Sequence, residues 1–402
     1  MARKSTPRRR PRRPSEPPLR YASPFYSAEP PEGRVAVAAA AGAQRARDFA
    51  AQHLGPIPPV RGNSVMNLAD IIGQPGVDAI QRSGSIRFHA TGDTGRASGD
   101  SSDQDAVAEA MTSDFQVGHD GTNPAFFFHL GDVIYGHRKA ALYRDEFYRP
   151  YMKYPGKILA IPGNHDGETF VGTDPKSLQA FLDNFCASSP AVPQAASGAG
   201  IFRQTMTQPG VYWLLKAPFV NIIGLYSNIA EGPGDLRGAN NDNKQIKWLQ
   251  TTLATLKAAG GDKQALVIAT HHPVFSEGGH SGSDFLLSQI DQACTAANIV
   301  PHALLAGHTH TYQRYTRTIT RPQAAQMICI DAGCGGHAAS SVKPAHGQHV
   351  GDAIYVKSLQ GYGYVLVTAS KDQLVIEMFH TGTGRKTSFD KATINVATRR
   401  VT

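Results

Sequence analysis

Cysteine and tryptophan are scarce: the 402 residues hold 4 and 2 of them. Cys186, Cys294, Cys329 and Cys334 show no CxxC pair and no disulfide-scaffold density. Single buried thiols are the expectation for all four. Long apolar runs are also missing. No stretch approaches the ~20 residues that cross a bilayer as a helix. With 41% apolar residues and 40 glycines, the composition fits a loop-rich α/β protein with a sizeable core, in one or two domains.

The body also lacks a charge excess. The formal net charge is +8, but Arg3, Lys4, Arg8, Arg9, Arg10, Arg12, Arg13 and Arg20 stand against Glu16 alone in the first 20 residues, leaving the remainder roughly +1. Residues 1–33 read as a disordered Pro/Arg-rich tail that cannot pack a core. A solvated tail is the plain expectation, and contact with nucleic acid or a membrane surface the functional alternative. Residues 34–43 have the small-residue look of a signal peptide, but Glu29-Pro30-Pro31-Glu32-Gly33 precedes them and the helical pattern continues to His53. Residues 34–84 therefore read as a helix over 34–54 and a connecting segment, with a catalytic body over 85–402. A cytoplasmic location is the expectation and secretion the alternative.

Five short apolar runs are present: Ile86–Ala90, Phe126–Leu130, Ile158–Ile161, Ala265–Thr270 and Ala303–Ala306. They lead into Gly92-Asp93-Thr94-Gly95, Gly131-Asp132-Val133-Ile134-Tyr135, Gly163-Asn164-His165-Asp166, His271-His272-Pro273 and Gly307-His308-Thr309-His310. Each reads as a buried strand delivering a polar side chain from its carboxyl end, where open α/β sheets place their chemistry. Helical patterns alternate with these runs over 103–115, 140–151, 177–185, 243–258 and 284–297, which argues a parallel or mixed sheet with covering helices. Val211–Ser227 and Tyr312 to about Phe379 read as a second sheet packed on the first.

The polar residues of the five motifs add up to a two-metal site. Two cations need a carboxylate that bridges and terminal ligands that leave room for water and substrate. Asp, Asn, His and Tyr form a hard to borderline donor set suited to iron, manganese or zinc.

The order GDxG, GDxxY, GNHD, a His after a strand, then GHxH resembles the calcineurin-like metallophosphoesterases, and within them the purple acid phosphatases. The wider superfamily usually has Asp-x-His at the first motif; this chain has Asp93-Thr94-Gly95 and offers Tyr135 instead. Gln245-Ile246-Lys247-Trp248-Leu249, the stretch His272–His280 and Gly361-Tyr362-Gly363-Tyr364 are similar too, and the resemblance covers about residues 86–380. It implies a two-sheet β-sandwich of mixed sheets flanked by helices, an αββα layering. It implies Asp93, Tyr135 and His310 on a first metal, Fe(III) in that family, Asp132 as the bridge, and Asn164, His271 and His308 on a second, divalent Fe, Zn or Mn. His165 would face the substrate, Asp166 would orient it, and His280 would be a second substrate-side histidine. His272 competes with His271 as the ligand, and Pro273 favours His271. His129, His137, His302 and His337 read as core or surface histidines, with His137 and His337 near enough to line the cleft. Arg314 reads as a carboxylate partner.

The activity this implies is hydrolysis of small phosphate monoesters by a metal-activated water, as in an acid phosphatase. A phosphodiesterase acting on a nucleotide or lipid head group is the alternative. A non-catalytic binding protein would be expected to lose ligand positions, and all seven are filled.

Overall fold

A computed structural model describes residues 54–95, 101–136, 139–169, 176–229, 231–382 and 385–402. The basic tail, the helix expected over 34–54 up to His53, and His137 lie outside the described residues. All five apolar runs are strands. Two mixed sheets form. One has six strands in the order β15 (Thr387–Asn395), β14 (Gln373–His380), β13 (Gly363–Ser370), β2 (Ser85–Thr91), β3 (Pro124–His129), β4 (Lys157–Ala160). The other has nine: β1 (Val65–Asn67), β5 (Trp213–Ala217), β6 (Val220–Gly224), β7 (Ala265–Ala269), β8 (Ala303–Ala306), β10 (Ala325–Ala332), β9 (Tyr312–Ile319), β12 (Ala353–Leu359), β11 (His349–Val350).

The two-sheet sandwich is as expected, but its division is different. The motif strands are shared: β2, β3 and β4 run parallel in the smaller sheet, and β7 and β8 run parallel in the larger. Val211–Ser227 joins the larger sheet. The Tyr312–Phe379 stretch splits, sending β13 across to pair antiparallel with β2. Burial on both faces is what a continuous apolar run can specify; which sheet receives the strand is not. Residues 54–84, read as a connecting segment, contribute β1, which pairs with β5.

Alternation along the strands builds two apolar layers. Phe126 and Phe128 face the other sheet, where Phe128 meets Trp213 at 5.1 Å between ring centroids. Phe127 points outward into a layer with Tyr151, Tyr154 and the helices. The helix Lys244–Ala258 packs Leu249, Leu253 and Leu256 against that outer layer, as its spacing predicts. The helix expected over 140–151 is a short turn, Lys139–Leu142, followed by a wider π-helical segment, Tyr143–Tyr148. The four cysteines are free, three of them buried. Among the described residues no helix is long and apolar enough to cross a membrane.

His302 has the core role expected of it. Its Nδ1 accepts from Leu266 N–H at 2.9 Å and its Nε2–H donates to the Val396 carbonyl at 3.1 Å, which fixes a neutral ring. Burial, helped by Arg399, pushes its pKa from 6.5 down to about 3. The unfolded chain therefore binds a proton below pH 6.5 that the folded one refuses, and this contribution to stability falls as pH drops. Urea unfolding should show the stability gap between wild type and His302→Gln closing by about 2 kcal/mol from about pH 7 to pH 5. A constant gap would mean that the folded His302 takes up its proton as readily as the unfolded chain does.

Candidate functional site

The ends of β2, β3, β4, β7 and β8 meet, and their loops are tied by backbone hydrogen bonds. Asp93 N–H donates to the Gly131 carbonyl at 3.0 Å, Thr94 N–H to Asp132 at 3.3 Å, and Gly307 N–H to His271 at 2.9 Å. Four polar residues at these ends, Asp93, Asp132, His308 and His310, have φ between +52° and +75°. Such backbone costs of order 1–3 kcal/mol per residue and clusters at functional sites. It aims the side chains inward from the tight turns, and His308 and His310 converge from the turn after β8. Glycines make the approach feasible. A Cβ on Gly163 would overlap the Asp132 carboxylate, and one on Gly95 would lie 2.5 Å from the Tyr135 ring and 2.6 Å from Glu146 Oε2. Glu146, on the π-helical segment, accepts from Tyr135 N–H at 2.8 Å and so seats the tyrosine.

The six Asp, Asn and His positions of the expected metal set and Tyr135 come together. His271 Nε2 lies 3.1 Å from Asn164 Oδ1, 3.2 Å from Asp132 Oδ2 and 4.0 Å from Asp93 Oδ1. Tyr135 hydroxyl donates to Asp93 Oδ1 at 3.1 Å and lies 3.3 Å from His310 Nε2, which is 3.5 Å from the same Asp93 oxygen. Asp93 Oδ2 accepts from His308 N–H at 2.7 Å. His271 Nδ1 faces the Leu130 carbonyl at 3.0 Å and must donate to it. A neutral ring would then present a lone pair at Nε2 to three oxygens, all acceptors unless protonated. Asp132 Oδ2 is buried and finds no hydrogen-bond partner among the described residues.

Acceptors facing acceptors in a buried site require positive charge between them. A proton on His271 is one source: burial opposes it, but Asp132 and Asp93 prevail and raise the ring to about 9. A cation is the other. Asp132, His271 and His308 each offer an atom within 4.8 Å of the others, a spacing that a metal ion can span. The donor chemistry fits: His308 and His310 are held neutral, first by burial and then by neighbouring histidines, with His310 pushed down to about 3. Neutral imidazoles and ionised carboxylates are the forms that bind metal. Asp132 is held well below the usual carboxylate range, burial being overcome by His271 and His165. Burial raises Asp93 to about 7 with help from Asp132 and against His271.

His272 turns away. Its Nδ1 lies 2.7 Å from Ser227 Oγ, leaving His271 as the residue of the pair that enters the cluster. His165 stands at the rim, with its ring 4.6 Å from Tyr135. The carboxylate on its Nδ1, at 2.9 Å, is Glu168 rather than Asp166. Asp166 instead accepts from Val133 N–H and Gly163 N–H, bracing the two loops. The expectation that Asp166 orients His165 is thereby corrected. The helical turn Asn164–Gly167 explains why: residues three apart share a face, residues one apart do not. The i,i+3 spacing of His165 and Glu168 was the available signal. Burial lowers the pKa of His165, but Glu168 and Asp132 outweigh it and push it up to about 10.

Two further residues had no periodic signal. Glu231 sits in a loop beside the cluster, 3.3 Å from Asn164 Nδ2, 3.6 Å from His165 Nε2 and 4.0 Å from His280 Nδ1. His337 stacks on Tyr135 at 3.7 Å, lining the site as its motif context suggested. The His280 ring lies 4.4 Å from His308 and 5.6 Å from His310. Arg314 pairs with Asp390 at 2.6 Å, away from the chemistry, and His129 is buried against Thr94.

A family model described as calcineurin-like phosphoesterase matches residues 86–312. No curated protein matches by sequence. Among solved structures, the chain is similar to GAP50, described as the anchor in the inner membrane complex of Plasmodium, at 12% identity and a TM-score of 0.56. That match covers 79% of this chain and 90% of the other. PhoD matches at 11% identity and a TM-score of 0.48, covering 79% and 71%. A dimetal phosphatase from Danio rerio matches at 13% identity and a TM-score of 0.45, covering 78% and 99%. At these identities the GAP50 match speaks to the fold alone.

Proposed function

Because the chain belongs to the calcineurin-like phosphoesterase family, whose members hydrolyse phosphoesters with the help of metal ions, we propose that it cleaves small phosphate monoesters at a two-cation centre. The observation that carries this reading is the buried, unpartnered Asp132 Oδ2 facing His271 Nε2 across the meeting point of both sheets. Asp93, Tyr135 and His310 would hold one cation, Asn164, His271 and His308 the other, and Asp132 would touch both. Bound there, the cations would supply Lewis acidity toward phosphoryl oxygens and a water of lowered pKa.

The chain's own groups divide the remaining work. His165, with Nδ1 fixed on Glu168 and Nε2 3.6 Å from Glu231, would hold a phosphoryl oxygen or give a proton to the leaving oxygen through Nε2. His280, which faces the same Glu231 carboxylate as His165, would be the second substrate-side imidazole. Tyr135 on the first cation favours a trivalent ion, since a phenolate is a hard anionic donor; Fe(III) is the proposed occupant, with divalent Fe, Zn or Mn beside it. The Tyr135 phenol keeps its proton without metal, because burial and Asp93 both oppose ionisation.

Turnover of a chromogenic phosphate monoester against the matching diester, before and after chelation, tests the reading. Metal-dependent cleavage with the monoester preferred is expected. Cleavage of the diester alone would make the protein a phosphodiesterase, and turnover indifferent to chelation would remove the metal reading. The same preparation should be coloured, and Tyr135→Phe should bleach the visible band, because a tyrosinate can transfer charge to trivalent iron. A colourless, fully active wild type would place two divalent ions at the site.

A further inference from the structure

Behind the metal-facing side chains lies a buried hydrogen-bond joint centred on Gln313, the third residue after His310. Its side chain is fully buried and every arm of the amide is engaged. Oε1 accepts from Glu277 N–H at 2.8 Å and from the Tyr315 hydroxyl at 2.7 Å. Glu277 N–H can only donate, so the amide orientation is settled by its surroundings. Nε2 faces Thr311 Oγ1 at 3.0 Å, Ser276 Oγ and Thr309 Oγ1 at 3.3 Å, and Asp331 Oδ2 at 3.4 Å.

These partners belong to two different parts of the site. Thr309 lies between His308 and His310, and its hydroxyl reaches Thr311 at 2.7 Å and the Asp331 carboxylate. Ser276 and Glu277 begin the loop that carries His280. The Ser276 hydroxyl donates to the His280 carbonyl at 2.6 Å and accepts from Gly278 N–H at 3.1 Å. The loop comes so close that a Cβ on Gly278 would lie 2.9 Å from Gln313 Nε2. Gln313 thus touches the His308–His310 turn with one side of its amide and the His280 loop with both. A second, backbone link runs through residues 340–343, where Ser340 N–H donates to the His310 carbonyl at 3.1 Å and Lys343 N–H to the Glu277 carbonyl at 2.9 Å; Gln313 supplies the buried side-chain link beside it.

We infer that Gln313 is a positioning residue that fixes the distance between His280 and the His308–His310 turn, and that it does so through Ser276. The inference rests on His280 facing the substrate, as in the function proposed above. The Gln313 amide contacts neither the expected metal donors nor the mouth. Its effect on turnover must therefore pass through the groups it holds, and unchanged metal content would assign that effect to the His280 loop rather than to the His308–His310 turn.

A double-mutant cycle tests this on the full-length, metal-loaded protein. His280→Ala and Gln313→Leu should each lower kcat/KM for a chromogenic monoester by about tenfold, mainly through KM, with metal content unchanged. The double variant should lose little beyond either single one, since contacting residues acting on one element are not additive. Ser276→Ala removes the hydroxyl that joins Gln313 to the His280 carbonyl and to Gly278 N–H, and serves where Gln313→Leu does not fold; it should behave alike, and Ser276→Thr should restore KM. Additive losses, or a loss of metal in step with activity, would overturn the inference. A wild type without turnover would instead defeat the proposed function, so the two failures are distinguishable.

Discussion

Asp132→Asn should lose more than about 100-fold in activity, beyond the range seen when a residue merely supports a metal ligand. The substitution keeps the shape of the side chain but removes its negative charge and puts an amide N–H₂ on one of its two oxygen positions. One position, Oδ1, accepts from His165 N–H at 2.9 Å and would favour the amide oxygen there. The NH₂ group would then occupy the Oδ2 position, 3.2 Å from His271 Nε2. That nitrogen cannot coordinate, and it would fill the space with a donor where the site offers acceptors. The core strands are untouched, so folding should persist. In the metal-free variant the amide can donate a new bond to a neutral His271, now that Asp132 no longer raises that ring. Metal-to-protein ratio and turnover, measured on one preparation, check this. Full metal content with activity within a few-fold of wild type would remove Asp132 from the centre.

His165→Asn should retain its metal and lose about 10²–10⁴-fold in rate, the usual range for a general acid–base group. The loss should shrink for esters with good leaving groups, which need less proton assistance. Glu168→Gln keeps the contact to Nδ1 at 2.9 Å but not its charge, and should cost about 10–100-fold, as for other residues that orient a working side chain. The order of the two losses matters, because Asp166→Asn would instead loosen Val133 and Gly163 and so disturb the loops. Metal falling in step with activity in His165→Asn would make His165 a ligand.

The strands and their ends were legible because both signals are local. A buried parallel strand is a continuous apolar run, and the polar residue at its end breaks that run abruptly, as at Ala90 before Asp93 or Ala306 before His308. What was not legible depends on contacts between distant parts of the chain. Nothing in Val365 or Val367 says that β13 will pair with β2 rather than extend the sheet it follows. Asp166 stood next to His165 in sequence, but a helical turn points adjacent residues apart and brings Glu168 round instead. Glu231 lies in a loop with no periodicity and meets Asn164 and His165 only through the fold. The π-helical segment had no signal of its own, although the buried Glu146 it contributes seats Tyr135.

The most direct measurement is an anomalous-difference map from a crystal of the protein purified without added metal. Two peaks about 3.5–4 Å apart on either side of the Asp132 carboxylate are expected. One should lie against Asp93, Tyr135 and His310, the other against Asn164, His271 and His308. A single peak, or peaks that leave Asp132 Oδ2 uncoordinated in an active protein, would contradict the two-cation centre.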